Sequence, residues 1–332
     1  SVIDPAAELE LTLGLYADLK RAAPAVADPA LDDAFSAELS GGRLTLAGIN
    51  PRAVLIGAYR VLHELGCRWL FPGIEGEILP ARSLKNAKLK RDEIASFRHR
   101  TVCIEGATSG TNVLDMIAWL PKVGFNGFYM QFREGYQFFD RWYSHEGDLA
   151  RARKEPIERT MAEEFTKLAE RSVAERNLMY HTVGHGWHCE AFGVAGIGWM
   201  DMHNLPKAFT DKVAVVDGQR QVIWAKPMLT SLCFSAPEVQ QAMAREIADY
   251  AETNPQVDYV HVWLDDGGNN MCECDRCRPQ RPTDWYIVVL NAIDAELTRR
   301  KNNKKIVFLA YNDLLWTPEH ESVKNPARFV FM

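Results

Sequence analysis

The chain has 332 residues, 47% hydrophobic and 25% charged, which is ordinary globular usage and excludes wholesale disorder, a collagen and a coiled coil. Its 38 basic and 44 acidic residues leave a net charge of −6, so the overall balance supplies no basic face for sequence-independent binding of nucleic acid. No apolar run approaches the roughly 18 residues of a membrane span, and the length suits two domains of about 150 residues or one large α/β barrel.

Ser1 to Glu10 shows no basic-then-apolar layout, so no signal peptide is visible. Asp4 and Pro5 predict a helix start, with Leu9, Leu13 and Tyr16 on one face. Phe35 to Leu39 and Arg43 to Ala47 alternate around Ser40-Gly41-Gly42, a hairpin pattern. Asn50-Pro51 opens a second helix carrying Val54, Ala58, Val61, Leu62 and Leu65, and Gly66 ends it. A short strand over Cys67 to Phe71 is broken by Pro72-Gly73. The polar, basic stretch from Ser83 to Arg91 reads as a linker.

Beyond it, strands and helices alternate. Strands are expected at 101–105, 127–132, 179–183, 259–264, 306–311 and 328–331. Helices are expected at 112–122, 159–176, 237–253 and 284–301, the third with a capping box of Ser235 and Glu238. Repeated β-α units with long connections imply parallel strands, as in a doubly wound sheet or a TIM barrel. Gly106-Ala107-Thr108-Ser109-Gly110 is not a phosphate-binding glycine loop, which weakens the nucleotide-binding version. The long insertions, 133–158 and 184–235, follow strands, where barrel enzymes build their sites.

The strand ends are polar or aromatic. They include Glu105, Gln131-Phe132-Arg133, His185-Gly186-Trp187-His188, Asp265-Asp266 with Asn270, and Tyr311. Strand phase puts His261, Trp263 and Asp265 on the inner face, and likewise Tyr129, Gln131 and Arg133. Any one of these residues is as readily a barrel-end cap; five polar strand ends together favour a site for a hydroxyl-rich ligand. Asp265-Asp266 is the carboxylate pair that glycoside cleavage would use, with a solvated turn as the plainer reading. His185 and His188 suit proton transfer, sugar hydroxyls or a metal. Trp187, Trp142, Tyr143, Trp199 and Trp263 are candidate sugar platforms, although most barrel tryptophans are core.

Seven cysteines, an odd number, argue against a full disulfide framework. Cys272, Cys274 and Cys277 fall within six residues and offer three ligands to a tetrahedral zinc; a local disulfide or plain thiols are the alternatives. The neighbouring strand-end loop offers Cys189 or His188 as the fourth ligand, which makes a closed, structural site. No organic cofactor is implied.

The segment from Gly57 to Gly73, with Tyr59-Arg60, Cys67-Arg68-Trp69 and Pro72-Gly73, resembles the end of the domain that precedes the barrel in bacterial α-glucuronidases. Gly184-His185-Gly186-Trp187, Trp263-Leu264-Asp265-Asp266-Gly267 and Cys272-Glu273-Cys274 with Cys277 resemble a large bacterial family of unknown function that sits beside α-glucuronidases and β-hexosaminidases. The resemblance implies a small α/β domain, residues 1–95, followed by a TIM-barrel glycoside-hydrolase domain, residues 96–332. In related sugar hydrolases an acidic pair at the end of the fourth strand contributes the acid; here it is Asp265-Asp266 rather than Asp-Glu.

The expected activity is glycoside hydrolysis of an oligosaccharide or polysaccharide, uronic-acid-bearing or N-acetylated. Asp265 or Asp266 is the general acid, and His185, Glu105, Arg133, Trp187, Trp263, Asn270 and Tyr311 surround the substrate. The rival readings are a non-hydrolytic sugar-binding barrel and a metal-dependent hydrolase using His185 and His188. No nucleic-acid or membrane partner is expected, and the missing signal peptide and odd cysteine count lean toward the cytoplasm. Only about six strands fit the residues after 95, so the barrel is expected to be incomplete in this chain.

Overall fold

The computed structural model describes residues 10–81, 86–104, 106–107, 109–143 and 157–332, and the side chains of 141–143 lie outside that description. The chain forms two compact units. One holds Ser1–Cys103, Ala107–Tyr129 and Trp142–Met179; the other holds Ile104–Gly106, Met130–Arg141 and Tyr180–Met332.

In the first unit, β1 (Glu10–Leu15), β2 (Ala34–Ser40) and β3 (Arg43–Gly48) lead into α1 (Pro51–Glu64), and β4 (Arg68–Trp69) pairs with β5 (Glu77–Ile78). With β6 (Leu89–Ile94) they give a four-stranded sheet of order β1-β3-β2-β6. The hairpin turns on Gly41 and Gly42, both at positive φ, where glycine has no Cβ to clash. Helix α1 starts where Asn50 accepts the Ala53 N–H, 2.8 Å, with Pro51 at the first helical position. It lies close on the sheet because Gly57 has no Cβ, which would meet Phe35 and Leu46 at 2.8 and 2.9 Å. Phe35, Ala37, Leu39, Leu44, Leu46, Val61 and Leu65 form the core between them.

Two expectations fail here. The N-terminal helix is not formed over its described part: Leu13 lies in β1, which runs parallel to β3. Glu-Leu-Thr-Leu-Gly-Leu fits a period of two as well as 3.6, and an open sheet edge decides between them. Asp4, Pro5 and Leu9 lie outside the described residues. The linker is shorter than expected, because Leu89 to Arg91 belong to β6, an edge strand whose charged residues mimic a loop.

The same unit holds a buried charge cluster. Asp33, 4% exposed, is held by Arg52 (2.8 Å) and Arg100 (2.6 Å), and accepts amide protons from Asn50 and Asn126 at 3.1 and 3.0 Å. Burial pushes its carboxyl pKa up, but the Arg52 and Arg100 guanidiniums outweigh that and hold it below the usual range.

The remaining elements are β7 (Thr101–Val102), α2 (Gly110–Trp119), β8 (Gly127–Gln131), α3 (Gly135–Tyr143), α4 (Arg159–Glu175), β9 (Met179–Gly184), α5 (Trp187–Glu190), α6 (Lys207–Thr210), β10 (Val215–Val216), β11 (Gln219–Arg220), α7 (Pro237–Thr253), β12 (Tyr259–Val262), α8 (Pro282–Arg299), β13 (Lys305–Phe308) and β14 (Phe329–Phe331). The six-stranded sheet has the order β14-β13-β12-β9-β8-β7, and its registered pairs are parallel. Each strand lies beside the next one in the sheet, the succession of a partial (β/α) barrel. Val239, Met243, Ile247 and Tyr250 of α7 and Ile287, Leu290, Ile293 and Leu297 of α8 are buried, as helical spacing requires. The capping box is not formed. Ala236 is the N-cap of α7, and the Ser235 hydroxyl instead sits among cysteine thiols.

Among the described residues no helix is long and apolar enough to cross a membrane.

Candidate functional site

The second unit carries a cleft at the C-terminal ends of its strands, lined by His185, Trp263, Asp265, Asn270, Tyr311 and Asp313 among others. The two adjacent carboxylates differ sharply. Asp265 is 8% exposed, and its Oδ1 accepts the Asn270 amide at 2.6 Å and the Gly267 N–H at 3.1 Å. Asn270 also donates to the Leu229 carbonyl at 2.7 Å. Gly267 is obligatory there: a Cβ would meet the Asn270 Nδ2 at 2.1 Å and the Leu229 oxygen at 2.4 Å. Asp265 is therefore a turn lock.

Asp266 keeps 24% of its side chain exposed. Its Oδ2 accepts the Trp199 indole N–H at 2.8 Å, and its Oδ1 lies 3.6 Å from His185 Nε2. His185 Nδ1 is 2.7 Å from the Leu264 carbonyl, an acceptor, so Nδ1 carries a proton and Nε2 is the nitrogen presented to Asp266. The His185 ring stands edge-on to Trp263 at 5.0 Å.

Left-handed backbone shapes these strand ends. Phe132 (φ 72°) donates its N–H to the carbonyl of Val183 (φ 78°), and Gly184 and Gly186 also have positive φ. A β-branched valine in that region is strained by about 1–3 kcal/mol. The reversal breaks the alternation of β8, so Arg133 leaves the inner face. It pairs with Glu246 of α7, lies 3.8 Å from Glu190 and stacks 5.9 Å from the Tyr250 ring. Burial pushes the Glu190 carboxyl up, offset in part by the Gly196 N–H and by Arg133. Arg133 is thus already neutralised and is not a free partner for a sugar carboxylate.

Trp187 is likewise not a platform: it is fully buried, donates to the His261 carbonyl at 2.7 Å and packs on Tyr250. Trp263 is nearly buried, and Tyr311 is 45% exposed on the rim. Glu105 and the side chains of Trp142 and Tyr143 lie outside the described residues. Sequence reasoning missed the role of Trp199 as the donor to Asp266; nothing in its spacing pairs it with that carboxylate.

Cys233, Cys272, Cys274 and Cys277 bring their sulfurs within 4.8 Å of one another, a group that could hold a metal ion. Cys233–Cys274 is 3.7 Å and Cys233–Cys277 is 3.8 Å. S–H donation from Cys272 and Cys277 holds the Cys233 thiol below its ordinary value and pushes the two donors up in turn. Burial raises Cys274, but the N–H groups of Cys277 and Arg276 outweigh it and hold that thiol below its usual value as well.

Cys189 is not the fourth member. It is fully buried beside His188 Nε2 at 3.4 Å, and burial pushes its thiol up. His188 is itself fully buried with Nε2 3.1 Å from the Pro227 carbonyl, and desolvation pushes its pKa down. Among the described residues, His185, His188 and an aspartate do not form a metal-holding group.

No curated protein sequence matches the chain. Among solved structures, a family 89 glycoside hydrolase from Clostridium perfringens in complex with GlcNAc-alpha-1,4-galactose aligns at 11% identity and a TM-score of 0.54, covering 97% of this chain and 37% of that one. The same organism's family 89 enzyme in complex with PUGNAc gives 10%, 0.52, 97% and 37%. A GH20 beta-N-acetylhexosaminidase from Streptomyces coelicolor aligns at 12% identity and a TM-score of 0.46, covering 90% of this chain and 54% of that one. The chain therefore spans between 37% and 54% of the length of these proteins. At such identities the family 89 likeness establishes the fold alone. Residues 125–327, more than half of the chain, match the family described as Domain of unknown function (DUF4838). The chain belongs to that family.

Proposed function

We propose that the chain is the sugar-binding and catalytic part of a glycoside hydrolase, with Asp266 as the general acid. The observation that carries this is the asymmetry of the pair: Asp265 is spent on a turn, whereas Asp266 is partly exposed, takes one donor from Trp199 and stands beside His185, which lines the cleft. Glycoside cleavage needs a proton at the leaving oxygen. His185 turns its Nε2 lone pair toward Asp266 Oδ1 at 3.6 Å. Trp199 orients the carboxylate and takes up the charge left when the proton goes. The family 89 fold likeness supports a substrate with an N-acetylated sugar, since one of those enzymes is bound to GlcNAc-alpha-1,4-galactose. Arg133, paired with Glu246 and Glu190, gives no support to a uronic acid.

We also propose that residues 1–95 act as an α/β domain of the kind that precedes α-glucuronidase barrels, ahead of the barrel domain at 96–332. The ion suited to the four cysteines is zinc in a structural role, since four protein thiolates leave no open position for a substrate.

The test is hydrolysis of N-acetylglucosaminide and uronide panels, GlcNAc-alpha-1,4-galactose included. Asp266→Asn is expected to lose about 10²- to 10⁴-fold in kcat. Full activity in both Asp266→Asn and Asp265→Asn would end the assignment. Glycan binding without product release would favour the non-hydrolytic reading.

A further inference from the structure

The four cysteines come from two separated segments. Cys233 closes the stretch that enters α7, and the other three lie on the loop between β12 and α8. A tetrahedral zinc with Zn–S bonds of about 2.3 Å requires sulfurs about 3.8 Å apart. The observed 3.7 and 3.8 Å from Cys233 match that edge, whereas a disulfide would draw two sulfurs to about 2.05 Å. The surroundings suit thiolates. The Val215 N–H donates to Cys272 Sγ at 3.4 Å, and Ser235 Oγ, 3.0 Å from Cys277 Sγ, accepts from that thiol. The Val215 N–H, and the Ser235 hydroxyl once Cys277 is deprotonated and the hydroxyl turns to donate, offset part of the two negative charges left when four thiols lose their protons to solvent and bind Zn²⁺.

The same two segments are tied a second time at the cleft. The Asp266 N–H donates to the Met228 carbonyl at 3.0 Å, and Asn270 joins the Leu229 carbonyl to Asp265. A third segment joins at the sulfur end, where Cys233 N donates to Lys212 O, Ala214 N to Ser231 O and Glu273 N to Val215 O, each 2.8 Å. Only a few residues of each segment separate the sulfur tie from the carboxylate tie.

We infer that a zinc ion on Cys233, Cys272, Cys274 and Cys277 clamps residues 228–233 to the turn at 265–274. It thereby positions Asp265 and Asp266 without touching substrate. The clamp stands on the thiol geometry alone; its effect on turnover rests on the catalytic reading given above.

The experiment uses the full chain. Elemental analysis is expected to find one zinc per chain, lowered at least tenfold in Cys233→Ser and unchanged in Cys189→Ser. Because Cys233→Ser removes a ligand from a buried cluster and can fail to fold, Cys274→His is the second variant; it keeps a zinc-competent donor and is expected to retain the metal. Chelation of wild type is expected to raise hydrogen exchange at 213–216, 229–233 and 266–274, and added zinc to reverse it. With an active substrate, zinc loss is expected to lower kcat between about 10- and 100-fold while KM stays within twofold.

Iron in place of zinc, an intramolecular disulfide, no metal after reconstitution, or full zinc in Cys233→Ser overturns the site. Full kcat in the stripped chain overturns the positioning role. Zinc and exchange behaving as stated while no glycoside is cleaved defeats the catalytic reading and leaves the clamp standing.

Discussion

Asp33→Asn keeps the shape of its side chain and removes one charge from the centre of a buried cluster. Arg52 and Asp33 have side chains only 5% and 4% exposed, so water cannot replace the lost partner. Arg52 retains hydrogen bonds to the Ala30 and Asn177 carbonyls, and Arg100 to those of Gly124 and Phe97, but neither guanidinium keeps an anion. Removing one partner of a buried pair costs about 3–5 kcal/mol, because the other is left as an uncompensated buried charge. In a unit of this size that lowers Tm by roughly 6–20 °C.

The pH dependence has a definite sign. The folded-state pKa of Asp33 is depressed, so its stabilisation is fully present above the unfolded carboxyl value near 3.8 and is lost as pH falls through the folded value. Thermal unfolding followed by circular dichroism from pH 7 down to pH 2 reads both effects. Wild type is expected to lose the Asp33 contribution on acidification, and the difference between wild type and Asp33→Asn to shrink with it. A Tm drop under about 2 °C at pH 7, or a difference that grows toward low pH, refutes the argument.

Gly267→Ala places a methyl against the Asn270 amide and the Leu229 oxygen, and is expected to unlock Asp265 and lower kcat at least tenfold, read by steady-state kinetics. Trp199→Phe removes the indole donor 2.8 Å from Asp266; a lower kcat with KM little changed is expected from steady-state kinetics, and an unchanged kcat rejects the contact's role. Arg133→Met breaks a partly exposed pair, so a stability loss of about 1 kcal/mol in urea with unchanged KM for any acidic sugar is expected.

The β/α succession was legible because buried parallel strands such as Tyr259–Val262 read as short apolar runs between amphipathic helices. The edges were not. The leucines of β1 suit either period, and β6 looks like a linker because an exposed edge strand carries charge. In the site, the adjacency of Asp265 and Asp266 drew attention to the right turn, and only the Asn270 and Trp199 donors separate their roles. Arg133 was misplaced because neither Phe132 nor Val183 is a residue type that advertises left-handed backbone. Cys189 was preferred to Cys233 on loop adjacency, since Leu232-Cys233-Phe234 looks like ordinary core and its approach to the other thiols is set by tertiary folding.

The close approach of Gly186 and Gly196 also bears on how this protein can vary. Neither position has room for a Cβ: one added at Gly196 would meet the Gly186 Cα at 2.8 Å, and one at Gly186 the Gly196 oxygen at 3.0 Å. The Gly196 N–H is further held by Glu190 at 2.7 Å. The excursion between them is therefore cinched at its base, with His185 and Trp199 just outside the cinch. Its tip, around the exposed Gly193, can lengthen, shorten or accept a grafted peptide while the two residues that flank Asp266 keep their separation. Both glycines are accordingly expected to resist substitution in libraries that freely vary the exposed Gly193 and Ala195.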